Sequence, residues 1–440
     1  MAPVHSTFRP MADRPSFFEH ETWTAGVIGL GYVGLPLAVN AVQRGLRAIG
    51  FDVDPRAVER LRAGHSPVED ISDEALQTAL AAGLEVTTDE SRLAAADALF
   101  ICVPSPLNRH REPDMSYIES AAATVGRVVR PGMLVSLEST TYPGTTDDLL
   151  IPAATGGGLR LDEDVFVAFS SERVDPGRNR KLGSIPKVVG GVSPASTRVA
   201  AAAYGRLVDR VHAVSSARAA EMSKLLENTY RAVNIALVNE LAQLAHELDI
   251  DIWEVIAAAA TKPFGFQAFY PGPGVGGHCI PLDPNYLAWR AREAGFTTRF
   301  IDLAEQINTR MPAYTADRIA DLLNRRGLPV SGARILGVGL AFKPDVADDR
   351  ESPALDVLKE LVRRGAEVLA WDPLVDPRRI ASHGFTPVDG GIPDGVALAV
   401  ILTDHEAFDY PALAAAVPVV FDTRGAYTRR GLAADNVVAL

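Results

Sequence analysis

Short apolar runs alternate with amphipathic stretches over the first half of the chain. Ala25–Gly34 reads as a strand, a tight turn and a helix start, with the helix continuing to about Arg44. A strand at Leu46–Phe51 ends in Asp52, and apolar strands recur at Ala98–Val103, Met133–Leu137 and Val165–Phe169 with helical stretches between them. Strands alternating with helices predict a parallel, doubly wound α/β sheet, here reaching about residue 213. The pattern then changes. Residues 215–260 differ in character, and Ala219–Ala242 keeps a helical period for many turns without Pro or Gly, with apolar residues on more than one face. Such a helix joins domains or pairs with a second chain. Further helix is predicted over 285–325. From Ala333 the alternation returns: strands at 334–340, Glu367–Trp371, Ala397–Leu402 and Val419–Phe421, and a helix over 353–364. Two α/β domains therefore flank a helical middle.

Composition changes this picture little. The chain has 440 residues, 47% hydrophobic and 22% charged, which is ordinary for a folded, water-soluble protein of two or three domains. A net charge of −12 with no basic run argues against nucleic acid as the main partner. Residues 1–20 are polar, Pro-rich and lack an apolar core, so they read as a disordered tail and not a signal peptide. No apolar run is long enough to span a membrane, and no membrane partner is expected. Only two cysteines occur, Cys102 and Cys279. Cys102 sits in a buried-strand pattern, a disulfide is not expected, and a reducing cytoplasm is the natural setting.

Three constellations carry chemistry. Gly29-Leu30-Gly31-Tyr32-Val33-Gly34 lies between a strand and a helix, where glycines permit a tight turn and close approach of a pyrophosphate to the helix N-terminus. Asp52 stands where a ribose-binding acid is expected, which favours NAD over NADP. Second, Gly272-Pro-Gly-Val-Gly-Gly-His-Cys279-Ile-Pro-Leu-Asp283 delivers one thiol in a glycine-rich loop, with a carboxylate four residues later. A thiol so placed suits covalent chemistry on a carbonyl carbon. Third, Lys224 and Asn228 share a face of the long helix, where a cation and an amide can stabilise an oxyanion. A hydride acceptor combined with a thiol nucleophile points to an oxidation that passes through an aldehyde to a carboxylate. No metal-ligand pattern is expected to take part.

With these motifs the chain resembles the UDP-glucose/GDP-mannose dehydrogenase family from about residue 24 to 430. Gly-Leu-Gly-Tyr-Val-Gly-Leu-Pro, Glu-Ser-Thr-Thr-Tyr-Pro-Gly-Thr-Thr, Lys-Leu-Leu-Glu-Asn-Thr, the Cys279 loop and Phe-Lys-Pro-Asp-Val-Ala-Asp-Asp-Arg-Glu-Ser-Pro carry the likeness. It implies two doubly wound Rossmann-like domains joined by a long-helix domain: an NAD-binding domain over 21–213, a helical dimerisation domain with the Cys loop over 214–328, and a UDP-sugar domain over 329–440. It also implies a homodimer and four-electron oxidation of C6 of a UDP-sugar with two NAD, feeding surface polysaccharide synthesis. On this resemblance Cys279 forms a thiohemiacetal and then a thioester. Lys224 and Asn228 hold the oxyanion, Asp283 orients Lys224 or activates water, and Glu172 acts as base or positioner. Thr140 holds that water or faces the nicotinamide. Gly29, Gly31, Tyr32, Val33, Gly34, Asp52, Thr140 and Arg350 contact the cofactor. Lys224, Asn228, Lys262, Tyr270, Gly276 and Lys343 contact the sugar nucleotide.

The chain departs from the UDP-glucose enzymes at two places. Their second loop glutamate is replaced by Pro176, beside Asp175, and the Arg ahead of their glycine loop is replaced by a segment with Lys262. Both differences, with Pro-Ser-Pro-Leu-Asn-Arg-His-Arg-Glu-Pro-Asp-Met-Ser-Tyr and Lys-Pro-Phe-Gly-Phe-Gln-Ala-Phe-Tyr, resemble the branch acting on N-acetylated sugars, most of all UDP-N-acetylglucosamine 6-dehydrogenases. UDP-glucose or UDP-N-acetylmannosamine is the alternative substrate. A single-hydride β-hydroxyacid-type dehydrogenase would need no thiol. An NAD-binding sensor would need none of Lys224, Asn228, Cys279 and Asp283.

Overall fold

The computed structural model describes residues 13–68, 70–173, 184–277, 280–389 and 391–440. The chain divides into two compact units, one of residues 1–227 with 285–294, the other of 228–284 with 295–440. The division falls inside the helix Ala217–Glu247, between Glu227 and Asn228.

The first unit is built on eight strands: β1 Thr24–Ile28, β2 Arg47–Phe51, β3 Leu84–Thr87, β4 Ala98–Ile101, β5 Met133–Leu137, β6 Val165–Phe169, β7 Lys187–Gly191 and β8 Val211–Ala213. Their order is β3-β2-β1-β4-β5-β6-β7-β8. The first six give the dinucleotide-fold order 3-2-1-4-5-6. β1 lies between β2 and β4, with Gly26 paired to both Ile49 and Leu99. β4, β5 and β6 are buried along their whole length, so they read as continuous apolar runs. One core packs Val27, Leu35, Phe100 and Tyr204, and the opposite one packs Ile28, Leu99, Val135 and Phe169. The parallel prediction holds from β1 to β6. β7 then joins β6 antiparallel through Ala168↔Gly191 and Phe169↔Gly190.

The disordered tail expected over 1–20 is corrected from Arg14 onward, where Arg14–His20 is a helix. Pro15 occupies the first turn, where a missing N–H costs nothing, and so starts the helix. Phe18 and Trp23 are fully buried and meet edge to face at 5.3 Å, and the Trp23 indole N–H donates to the Phe18 carbonyl. Residues 1–12 lie outside the described residues.

The second unit carries six strands: β9 Arg334–Val338, β10 Glu367–Trp371, β11 Thr386–Pro387, β12 Leu398–Ile401, β13 Val420–Asp422 and β14 Val437–Ala439. They run parallel in the order β11-β10-β9-β12-β13-β14, the same 3-2-1-4-5-6 arrangement. Helix Pro353–Arg363 and the C-terminal part of helix Arg299–Asn324 cover one face, where Leu358 and Leu361 pack on Ile335, Val400 and Phe421. Helix Tyr410–Ala416 covers the other, over Leu336 and Ile401. The fold class is thus two Rossmann-like α/β domains linked by a long helical region. The helix expected over 285–325 is two helices, Asp283–Glu293 and Arg299–Asn324, with Gly295 at φ +72° between them.

Candidate active site

In the first unit three glycines of one turn have three physical reasons. A Cβ on Gly29 would sit 2.7 Å from the Cys102 carbonyl oxygen, and φ is +91° there, so only glycine makes this turn. A Cβ on Gly34 would meet the Gly29 carbonyl oxygen at 1.8 Å, so glycine lets the helix Gly34–Gln43 start against the strand. A Cβ on Gly31 would meet no protein atom within 4 Å. That leaves Gly31 as the place where a ligand can approach bare backbone. Tyr32 is half exposed beside it and Val33 precedes the helix. Asp52, after β2, accepts from the Leu30 N–H at 2.9 Å and the Asp54 N–H at 3.0 Å, so its carboxylate is fixed beside the glycine turn. The turn, the open glycine and the acid fit the pyrophosphate and ribose of NAD.

Around Lys224 the contacts are specific. Its ammonium donates to the Glu172 main-chain carbonyl at 2.9 Å. The Glu172 carboxylate turns the other way, accepting from the Arg173 N–H at 2.6 Å and from Lys187 at 3.2 Å. Thr140 is half buried, between Ser139, whose hydroxyl donates to the Val103 carbonyl, and Thr141, whose hydroxyl bonds that of Thr145. Glu221, one turn before Lys224, is buried and accepts from the Gly144 N–H at 2.6 Å, the Thr146 N–H at 2.9 Å and the Thr146 hydroxyl at 2.7 Å. Burial pushes its carboxyl up against the pull of these bonds. Glu221 thereby ties the loop after Thr140 to the helix that carries Lys224. Cys102 is a buried free thiol that burial, reinforced by Glu138, pushes well above the usual range, so it is no nucleophile.

In the second unit Asn228 donates through Nδ2 to Asp283 Oδ2 at 2.5 Å, and both side chains are buried. This bond fixes which way the amide faces. The glycine loop beside it is held from three sides. The Gly272 N–H donates to Asn239 Oδ1 at 3.0 Å, and Asn239 in turn donates to Asn308 at 2.9 Å. A Cβ on Gly276 would lie 2.7 Å from both the Glu351 carbonyl oxygen and Pro353 Cδ, and one on Gly277 would meet the Phe342 ring at 3.0 Å. The sequence assigns these glycines to close approach of a ligand. The structure gives Gly276 and Gly277 a further reason, since their own chain presses on them. Cys279 and His278 lie outside the described residues, as do Asp175 and Pro176.

The remaining predicted contacts separate. Gly276 packs beside the loop that carries Lys343, half buried next to the Phe342 ring, and Arg350, whose fork is engaged by Asp348 at 2.7 and 2.8 Å. Tyr270 stacks on Trp253 with centroids 5.9 Å apart, and the Arg429 guanidinium lies 5.2 Å from its ring. Lys262 is exposed, over the Phe264 ring. Sequence reasoning missed Glu221, Asn239, Lys187 and a cluster in which Arg424, Arg429 and Arg430 surround the buried Asp404. A Cβ on Gly272 would meet Arg424 at 2.5 Å, so this cationic cluster borders the glycine loop. The one available signal was three arginines following the strand Val-Val-Phe-Asp within a few residues.

Comparison with known proteins adds to this geometry. Residues 24–208, 218–310 and 336–429 match the NAD binding, central and UDP binding domains of the UDP-glucose/GDP-mannose dehydrogenase family. The chain is 35% identical to UDP-N-acetyl-D-glucosamine 6-dehydrogenase of Pseudomonas aeruginosa over 85% of its length and 89% of the relative's. It is 37% identical to UDP-N-acetyl-D-mannosamine dehydrogenase of Pyrococcus horikoshii, over 87% and 89%. A solved UDP-D-ManNAc dehydrogenase structure from Pyrococcus horikoshii superposes with a TM-score of 0.84 at 34% identity, covering 92% of this chain and 96% of that one. Fold and site together define an NAD-dependent dehydrogenase. The chain belongs to the UDP-glucose/GDP-mannose dehydrogenase family, whose NAD-dependent chemistry oxidises nucleotide sugars. Among the described residues no helix is long and apolar enough to cross a membrane.

Proposed function

We propose that the enzyme oxidises C6 of UDP-N-acetylglucosamine to the carboxylate, in the cytoplasm, through a covalent intermediate on Cys279. The observation that carries this reading is the Asn228–Asp283 bond at 2.5 Å, four residues beyond the thiol and one turn beyond Lys224. One Nδ2 hydrogen of Asn228 is committed to Asp283. The other remains to meet an oxyanion at C6, with the Lys224 ammonium supplying charge. Alcohol to acid is a four-electron change that consumes one water. NAD, when bound, accepts a hydride in each of two rounds. Cys279 adds to the aldehyde as a thiohemiacetal, becomes a thioester on loss of the second hydride, and is released by water. Asp283, held by Asn228, is the carboxylate assigned to activating that water.

The N-acetylated sugar is supported by the Lys262–Tyr270 approach, by Pro176 in place of a glutamate, and by relatives named for N-acetylated sugars. UDP-N-acetylmannosamine is the second reading, favoured by the 37% identity and the 0.84 TM-score above. A site that hydrogen-bonds an acetamido group leaves its own polar atoms unpaired when glucose binds, a loss of about 1–3 kcal/mol. That corresponds to a preference of roughly ten- to hundredfold in kcat/KM. The test follows NADH absorbance with NAD and each of the three UDP-sugars. Two NADH per UDP-N-acetylglucosamine, with the highest kcat/KM, is the expected result. Preference for the mannosamine epimer overturns the sugar assigned, equal turnover of UDP-glucose overturns the acetamido argument, and one NADH per sugar overturns the covalent route.

A further inference from the structure

Lys187 opens β7 with a side chain only 6% exposed, inside the first unit. Its ammonium donates to Glu138 Oε2 at 2.6 Å and to Glu172 Oε2 at 3.2 Å. Glu138, wholly buried after β5, also accepts from the Tyr204 hydroxyl at 2.5 Å, and that hydroxyl bonds Ser136. Burial pushes the Glu138 carboxyl up, while Lys187 opposes the rise. Lys187 and Glu138 answer each other's charge inside the core. Glu172 is different, since at 20% exposure its carboxylate can reach water.

The second contact of Lys187 therefore has a consequence outside the buried pair. Glu172 spends Oε1 on the Arg173 N–H and Oε2 on Lys187, while its main-chain carbonyl accepts the Lys224 ammonium at 2.9 Å. Arg173 fixes the same segment to the long helix, through Glu227 at 2.5 Å, three residues on from Lys224. A continuous line runs Glu138, Lys187, Glu172 and Lys224.

We propose that Lys187 is a positioning residue for the oxidation: anchored on Glu138, it holds Glu172 so that the Glu172 carbonyl aims the Lys224 ammonium. The inference rests on the reading in which Lys224 stabilises the oxyanion at C6. It assigns Glu172 to positioning and not to proton abstraction, because its carboxylate faces the buried lysine. Buried ion pairs are weak stabilisers compared with well-packed neutral groups, so their removal as a pair is tolerated by many folds.

The test uses the full-length enzyme with NAD and UDP-N-acetylglucosamine, and compares Lys187→Met, Glu172→Gln, their double variant, and Lys187→Met combined with Glu138→Gln. The last leaves no lone buried charge and guards against simple misfolding, which circular dichroism and Tm monitor. Lys187→Met and the Glu138-compensated variant are each expected to lower kcat about ten- to hundredfold with KM for NAD within about twofold. The loss should fall on kcat and not on KM for the UDP-sugar, because a misaimed Lys224 fails the developing oxyanion and not the bound alcohol. Glu172→Gln added to Lys187→Met should cost no more than about another twofold, since the two act as one unit. Loss of the acidic limb in Glu172→Gln, or multiplicative losses in the double variant, would make Glu172 the base and overturn the proposal. So would folded Lys187 variants with wild-type kcat. Wild-type enzyme without NADH formation on any UDP-sugar would instead remove the functional reading beneath it.

Discussion

Asp372 stands in the second unit where Asp52 stands in the first, just beyond the second strand of a 3-2-1-4-5-6 sheet, yet the two carboxylates are used differently. Asp52 Oδ2 accepts from Leu30 N and Asp372 Oδ2 from Leu340 N, each at the turn after the first strand of its sheet. Asp372 also accepts from Ala341 N, from the His405 ring, and from Leu374 N and Val375 N. It is 6% exposed and has little left to offer a ribose. The same topology thus carries an open acid in the NAD binding domain and a closed one in the UDP binding domain.

The open acid sets cofactor choice. Asp52 is fixed beside the glycine turn, and a 2′-phosphate there would meet its negative charge. We expect kcat/KM with NAD to exceed that with NADP by about tenfold or more, the effect of ~1.4 kcal/mol. Asp52→Asn should narrow the gap. Steady-state kinetics with both cofactors checks this, and comparable wild-type values would contradict it.

The closed acid sets acid stability. Burial alone would raise the Asp372 carboxyl, but the His405 hydrogen bond and charge and the backbone donors outweigh it and hold it at about 2, below its ordinary 3.8. A depressed folded-state value contributes stability that is complete above about pH 4 and lost as pH falls to about 2, worth roughly 2 kcal/mol. Asp372→Asn should therefore destabilise the second unit at pH 6 by about that amount. The gap to wild type should shrink at pH 3, which urea unfolding at both pH values would report. A pH-independent gap would mean that charge is not the cause.

Gly276 tests the close approach within the second unit. A methyl group there must displace the Glu351 carbonyl or Pro353, both backbone or ring atoms that yield poorly. Gly276→Ala is expected to cost about 1–3 kcal/mol, as overpacking does. Calorimetry should show a lowered Tm, and an unchanged Tm would show that the loop gives way freely.

Local features of this protein were legible in the sequence, and long-range ones were not. The turn Gly29–Gly34 and strands β5 and β6 depend on neighbours within a few residues, so pattern alone located them. The short or polar strands β3, β8, β11 and β14 owe their pairing to the sheet rather than to their own composition. In Arg14–His20 polar residues mask the two phenylalanines that anchor the helix, so its pattern reads as tail. The Lys187–Glu138 pair joins residues 49 apart, and nothing in either local run announces the other. Gly276 and Gly277 read as ligand-facing because the chain that crowds them lies more than sixty residues away.

Cys279→Ser tests the covalent route in the proposed function. A hydroxyl is a far poorer nucleophile than a thiolate near neutral pH. We expect less than about one hundredth of wild-type acid formation, while first-step aldehyde chemistry persists at a measurable rate. Product analysis by mass spectrometry distinguishes the two. Acid formed at the wild-type rate would exclude the thioester.

The long helix carries the last prediction. Met222, Leu226, Tyr230, Leu237, Leu241 and Leu244 are all at least two-fifths exposed, at spacings of three, four or seven. Those spacings place them along one side of the helix. A row of large apolar side chains this long costs free energy in water and marks a surface that another surface covers. A second copy of the same chain, related by a two-fold axis, would bring the row against itself. We therefore expect a homodimer by sedimentation at micromolar concentration. Leu241→Glu with Leu244→Glu places two like charges on each side of that contact, and the double variant should sediment as a monomer with its far-UV circular dichroism retained. A monomeric wild type would rule out the homodimer, and a variant that remains dimeric would move the interface elsewhere.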